Sequence, residues 1–303
     1  MSLDAGTSRL REQPGGAASP YGVAPHGVDP RKVALHREDG RAARRAYLRS
    51  ARRSRAAVLA GQMALLAVFL GAWELAADRG IVSPFLTSRP SSVAKTLVRL
   101  WVQGQLGVHL ASTALGTAVG FAVGTGLGVG VAAGLWWSPY LAQVVEPYLV
   151  VFNAIPKVAL GPLFIVWLGT NLRSVIAMAI AITVVVAVVV VHAAFTATDA
   201  ARLTLVRSLG ANRWQQFRLV VVPSAVPAII AALKANVGLA LVGAVTGEFL
   251  AGGRGLGYLI VYGGQVFDMN LVMAALALLV GLSTLLYAAV SLAERLVRRR
   301  FSP

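Results

Sequence analysis

The 303-residue chain has no cysteine, four histidines, and only 12 acidic residues against 28 lysines and arginines. Without cysteine there is neither a disulfide framework nor a thiolate metal site. His26, His36, His109 and His192 are scattered and show no ligand spacing, so no metal centre is expected. No Gly-rich loop closes on Gly-Lys-Ser/Thr, which excludes ATP hydrolysis of the usual P-loop kind by this chain itself. No Ser/His/Asp set or carboxylate pair stands out in an apolar run, so neither catalysis nor a cofactor is expected. Charge is scarce overall. At 13% charged and 57% hydrophobic residues the composition lies outside that of soluble globular proteins, and the mean hydropathy is +0.70.

What the chain has is long apolar runs. Each is about 20 residues, enough to cross a hydrocarbon core about 30 Å thick. They predict an all-α polytopic membrane protein with six spans near 57–77, 110–136, 139–168, 174–195, 224–247 and 271–293. A short amphipathic helix is expected near Ser91–Gln103. Residues 1–56 read as a disordered basic tail with a juxtamembrane helix over Arg41–Arg55, and 57–298 as the membrane domain. No cleaved signal peptide is expected, because the basic region is too long and no cleavage site ends the first run. In the second span Gly116, Gly120, Gly124 and Gly128 recur every fourth residue and line one helix face, where a neighbour can approach closely. The third span holds Pro147, Pro156 and Pro162, which predict a bent or broken helix.

Basic residues set the expected orientation. Seven arginines lie between 41 and 55, four between 202 and 218, and four between 295 and 300. The bias places both termini and the 196–222 loop in the cytoplasm. The net charge of +16 therefore reports topology in a plasma (inner) membrane, and nucleic acid is not an expected partner.

That loop is the most informative stretch. In 203–223, LTLVRSLGANRWQQFRLVVVP, apolar Leu205, Leu209, Trp214 and Phe217 alternate with Arg207, Arg213 and Arg218 around Gly210. The pattern predicts two short amphipathic helices meeting at a tight turn, either a docking surface for a soluble partner or a surface hairpin without one. Gly210, Val220, Val222 and Pro223 keep the spacing of the cytoplasmic coupling segment of ABC-importer permeases, with Thr204 where that family carries Glu. Further stretches follow in order: Trp73-Glu74-Leu75-Ala76, Ser88-Arg89-Pro90-Ser91, Asn153-Ala154-Ile155-Pro156-Lys157, Trp167-Leu168-Gly169, Arg207-Ser208-Leu209-Gly210-Ala211, Gly247-Glu248-Phe249 and Gly255-Leu256-Gly257-Tyr258. From about residue 60 to residue 300 the chain resembles ABC-importer permeases of the nitrate/sulfonate/taurine branch. One turn departs from them: Trp136-Trp137-Ser138-Pro139 replaces a usually basic stretch.

The resemblance implies a type I importer fold and partnership with ATP-binding cassette ATPase subunits, a second permease copy and an extracytoplasmic solute-binding protein. It also implies ATPase coupling through segment 199–222, with Thr204, Leu205, Arg207, Ser208, Leu209, Gly210, Ala211, Arg213 and Trp214 as the contact residues. Buried polar groups suggest the translocation path: Asn153, Pro156, Lys157, Lys234 and Glu248. A charge facing lipid costs about 2.5–3.5 kcal/mol on insertion scales. Lys157 and Lys234 therefore either line a route for small polar or anionic solutes, or snorkel and pair with a carboxylate such as Glu248 or with carbonyls at the kinks. A secondary transporter or channel for small anions is the alternative function, although repeated halves and coupling acids are not evident.

Overall fold

The structure, a computed structural model, describes residues 56–251 and 253–301. The chain divides into two units, one up to Val68 and one from Phe69. Of the first, only 56–68 are described, the opening part of helix α1 (Ala56–Asp78). Apart from Ala56, the expected tail lies outside the described residues.

Among its described residues the second unit consists of helices joined by short turns, with no strand. In order come α2 (Pro84–Thr87), α3 (Pro90–Val102), α4 (Gln105–Trp137), α5 (Pro139–Ala154), a 3-10 turn (Lys157–Leu160), α6 (Gly161–Leu168), α7 (Leu172–Thr196), α8 (Ala200–Ser208), α9 (Arg213–Gln216), a π-helical turn (Phe217–Val221), α10 (Val222–Ala251), α11 (Leu256–Gln265) and α12 (Met269–Phe301). Five helices, α1 among them, are long and apolar enough to span a membrane, and a sixth span results if α5 and the 157–168 segment count as one.

The third span is broken as its prolines require. Ile155 is extended, because a residue before proline is pushed out of the α region, and the chain turns by 90° between Ala154 and Lys157. Pro147 is carried inside α5 without a break, and Pro162 sits in the first turn of α6, where its missing N–H costs nothing.

α7 is the centre of the unit, with α4 and α10 packed against it. The α4 glycines make this contact. A Cβ at Gly120 or Gly128 would fall 2.3 Å from Ala179 or Ala187 Cβ, and one at Gly124 only 2.0 Å from Thr183 Oγ1. α10 uses the same device on its own side of α7, since a Cβ at Gly243 or Gly247 would lie 2.7 or 2.8 Å from the Cα of Ala179 or Val175.

At one end of the unit, α3, α11 and α12 share a core of Leu100, Leu256, Leu259, Leu271, Ala275 and Leu282. Two stretches noted in the sequence meet here. Glu74 accepts from Ser91 N at 3.0 Å and Ser91 Oγ at 2.7 Å, fixing the start of α3 to the end of α1, and Arg89 pairs with Asp78 at 2.9 Å. α11 was not expected from sequence. Its ten residues, LGYLIVYGGQ, are too few to cross a bilayer.

The glycine seam can be tested with one substitution at two sites. Gly124→Ala inserts a methyl into Thr183 and the Ile180 backbone, whereas at Gly126 a Cβ meets nothing within 4 Å. Gly124→Ala is expected to cost about 1–3 kcal/mol and to lower the melting temperature in detergent. Gly126→Ala should be neutral or slightly stabilising. Equal melting of the two variants would contradict this packing.

Candidate functional site

The 199–222 segment is fixed by local hydrogen bonds before any tertiary contact is counted. Asp199 caps α8, accepting from Ala201 N at 2.9 Å, and Thr204 Oγ1 and Ser208 Oγ bond back to the carbonyls of Ala200 and Thr204. At the far end Ala211 N reaches Val206 O at 3.1 Å and Gly210 N reaches Arg207 O at 2.9 Å. These are the paired bonds of a Schellman motif, with Gly210 in the left-handed region at φ +84°. Two residues later Asn212 and Gln215 form a capping box, Asn212 Oδ1 accepting from Gln215 N at 2.9 Å and Gln215 Oε1 from Asn212 N at 2.8 Å. A helix stop and a helix start thus stand back to back. The first expected helix is α8. The second is not separate: α9 runs through the π turn into α10, and a single helical stretch extends over Arg213–Ala251.

The Schellman turn leaves apolar side chains in the open. Leu205, Leu209 and Trp214 are 63%, 78% and 57% exposed, with Arg207 and Arg213 exposed beside them. Thr204 and Ser208 are also exposed and spend their hydroxyls on the α8 backbone. Ala211 is half-buried, and its carbonyl accepts from the buried Gln216 Nε2 at 2.9 Å.

The Trp136-Trp137 turn has a structural role here. Phe217 packs on Trp136 at 4.9 Å and on Phe195 at 5.3 Å between ring centroids, and Trp214 lies 6.2 Å from Trp137. The Arg213 guanidinium sits 5.8 Å from the Trp136 ring centre, within cation–π range. This cluster places the α4–α5 turn, the end of α7 and the hairpin at the same end of the bundle.

The residues expected to line a path occupy three separate places. Lys157 and Asn153 meet at the break on either side of Pro156, Lys157 Nζ donating to Asn153 O at 2.6 Å and Oδ1 at 3.3 Å. Asn153 and Pro156 are exposed and Lys157 half-buried, and α5 buries none of its residues within this chain. Lys234 pairs with Glu294 of α12 at 2.5 Å, its Nζ 6.0 Å from the Tyr287 ring centre. Glu248 is 1% exposed and sits between α4, α10 and α11. Among the described residues no hydrogen bond or ion pair joins Lys157, Lys234 and Glu248 to one another.

Glu248 belongs to a network that sequence reading missed in all but that residue. Three successive backbone N–H groups at the start of α11 find side-chain acceptors on other helices: Gly255 N on His109 Nδ1 at 3.1 Å, Leu256 N on Thr113 Oγ1 at 2.8 Å, and Gly257 N on Glu248 Oε2 at 2.8 Å. Thr113 Oγ1 then donates to Glu248 Oε1 at 2.8 Å. Orphan N–H groups at a helix start are costly in an apolar setting, and here each is satisfied from α4 or α10. A side chain at Gly255 or Gly257 would collide with the Glu248 carboxyl, which explains both glycines.

A sequence profile described as binding-protein-dependent transport system inner membrane component matches residues 124–303. The chain belongs to that family. The permease is 38% identical to the riboflavin transport system permease protein RibX of Chloroflexus aurantiacus, over 78% of this chain and 87% of that one. It is 29% identical to the taurine transport system permease protein TauC of Escherichia coli, over 78% and 87% of the two chains. Identity to the formylaminopyrimidine transport permease protein ThiX of Halalkalibacterium halodurans is also 29%, over 74% and 90%. In fold it matches a chain of the methionine ABC transporter MetNI, solved in inward-facing conformations, with a TM-score of 0.54 at 22% identity, over 67% of this chain and 98% of that one. The permease is thus a multi-pass membrane subunit of an ABC importer for small nutrients, with the type I importer fold. The resemblance read from the sequence, including the taurine and sulfonate branch, holds.

The network around α11 makes a graded prediction. Glu248→Gln keeps an acceptor for Gly257 N–H and should change stability little. Glu248→Ala leaves that N–H and the Thr113 hydroxyl without this partner and should cost about 1–3 kcal/mol. Thermal melting in detergent distinguishes them, and equal melting of both variants would show that the carboxyl is not holding α11.

Proposed function

We propose that the permease forms half of the translocation pathway of an ATP-driven importer for a small polar or anionic nutrient. The solute class is that of sulfonates, taurine, nitrate or vitamin precursors such as those named for the relatives. An extracytoplasmic solute-binding protein delivers it, and two ATP-binding cassette subunits supply the energy. A second copy of the same chain completes the path, because α5, the first half of the broken third span, buries none of its residues within one chain. Both termini and the 199–222 hairpin lie on the cytoplasmic side, where the basic excess falls.

One observation carries this reading. A hairpin locked by its own hydrogen bonds exposes Leu205, Leu209 and Trp214, which the other described residues leave uncovered. A rigid apolar projection flanked by arginines suits insertion into a groove on a soluble partner, and rigidity lets motion of that partner reach the spans. Thr204 stands in the coupling Glu position and supplies a hydroxyl turned onto its own helix, so docking rests on the apolar row and Arg207 and Arg213. The solute path runs past the elbow at Asn153, Pro156 and Lys157. Lys234 and Glu248 support that path from behind, by holding α12 and α11 against α10.

Gly210 provides the test of coupling. Its φ of +84° is tolerated by Asn and strained for a β-branched residue, while a Cβ there meets no neighbour. Gly210→Asn should retain association with the ATPase. Gly210→Val should reach the membrane at normal levels yet lose co-purification and transport. The chain purified alone should not hydrolyse ATP. Full transport by Gly210→Val, or ATP turnover by the isolated chain, would contradict the proposal.

The elbow is tested separately. Lys157→Met removes the charge and keeps most of the stem, so uptake should fall with the complex still assembled and its ATPase present. Lys157→Glu should be worse for an anionic solute, because repulsion replaces attraction at short range. Unchanged uptake of an anion in both variants would assign Lys157 to holding the break alone.

A further inference from the structure

The hairpin end of the bundle contains a pocket whose wall includes the two docking arginines, Arg207 and Arg213. It has a volume of about 450 Å³, a size typical of small-ligand sites, and lies among the ends of α4, α5 and α7 and the α8–α9 hairpin. Its polar lining is Trp136, Gln143, His192, Thr196, Arg207, Arg213 and Gln216, with no carboxylate among the described residues of its wall. The nearest acid of the hairpin, Asp199, is turned to Arg202 at 3.8 Å. Among the described residues neither Arg207 nor Arg213 pairs with a carboxylate. His192 Nδ1 is buried and without a hydrogen-bond partner among those residues, an arrangement that costs about 1–3 kcal/mol unless a ligand or water satisfies it.

We propose that this pocket binds a phosphate-bearing anion, from an acidic phospholipid head group or from a soluble phosphate. Two guanidiniums without acid partners offer the planar forks that bind phosphate oxygens in pairs, and His192 lies on the same wall. Arg213 lies over Trp136 at cation–π range, which favours this placement before any ligand arrives. The remaining wall is apolar, with Leu135 and Phe195 at the ends of spans, and Trp136 and Trp137 close α4, a span end of the kind at which tryptophans are enriched. A lipid head group would enter with its phosphate toward the arginines and its glycerol along that wall. A bound anion ties the hairpin arginines to the ends of α4 and α7 and leaves Leu205, Leu209 and Trp214 uncovered. The site therefore goes beyond the importer reading and does not depend on it.

The test uses the full chain in phosphatidylcholine nanodiscs. Melting is followed as phosphatidylglycerol replaces part of the lipid, and in a second arm as inorganic phosphate is added to pure phosphatidylcholine discs. The wild type should melt several degrees higher in one of the arms. Arg207→Gln with Arg213→Gln should weaken the apparent affinity by about tenfold or more. Arg202→Gln with Arg218→Gln removes the same charge from the same segment but outside the pocket lining, and should keep the shift. Gln143→Leu, on α5 and outside the hairpin, is a second probe if the first double variant already melts lower in pure phosphatidylcholine, and it too should weaken binding. A pocket-dependent shift in the phosphatidylglycerol arm alone identifies a lipid head group, and one with phosphate identifies a soluble anion. No shift in either arm, or equal losses in the two double variants, would overturn the proposal.

Discussion

Within a bilayer, apolar surface gains little by leaving lipid for protein, so the helices of this permease must be held by close contact rather than by hydrophobic burial. The contact is made where side chains are missing. α4 presents Gly116, Gly120, Gly124 and Gly128 to α7, and α10 presents Gly243 and Gly247 to the same helix. At that spacing dispersion forces act over nearly the whole helix face, and isolated polar groups come within bonding range. Asn236 reaches Thr125 at 3.2 Å, and Thr183 reaches toward Gly120 O at 3.4 Å. The broken span and α11 are attached to this three-helix centre.

The two ends of the centre are finished differently, and the difference follows from what each must hold. At one end the start of α11 is held by single hydrogen bonds that its backbone N–H groups donate to His109, Thr113 and Glu248, which demand exact distances from buried groups. At the other, rings pack on rings: Trp136, Trp137, Phe195, Trp214 and Phe217 meet over tilted and edge contacts. Aromatic packing tolerates small displacements that a hydrogen bond to a buried carboxyl does not. The hairpin is therefore rigid within itself and seated on a more forgiving surface.

Much of this was legible in the sequence because its signals are local. Four glycines at a spacing of four describe a helix face by themselves, and Pro156 after Ile155 announces a break wherever it stands. Gly210 and the Asn212–Gln215 pair lie within one turn of the elements that they end and begin. What escaped depends on partners distant in sequence. Nothing near Lys234 announces Glu294, 60 positions away, and nothing near Glu248 announces Thr113. The Trp136-Trp137 turn looked like the loss of a usually basic stretch, because its value lies in rings contributed by α9 and the π-helical turn. Gly243 and Gly247 are only two residues in an apolar run and gain meaning once α7 is known to lie against them. α11 is too short to register as a span, and the continuity of α9 with α10 is hidden by a proline that would normally mark a helix start.

That proline leads to the π-helical turn at Phe217–Val221. Pro223 has no N–H for the carbonyl of Leu219, and the turn just before it is widened, Val222 N reaching back to Phe217 O. A widened turn holds one residue more than an α-helical path over the same rise, and in an α-helix one residue is worth about 100° of rotation. The extra residue therefore sets the azimuth at which Trp214 and the hairpin leave the bundle, independently of the tilt and depth of α10. A homologous chain with the same spans and the same hairpin, but one residue fewer here, would aim its docking face at a different quarter of the compass.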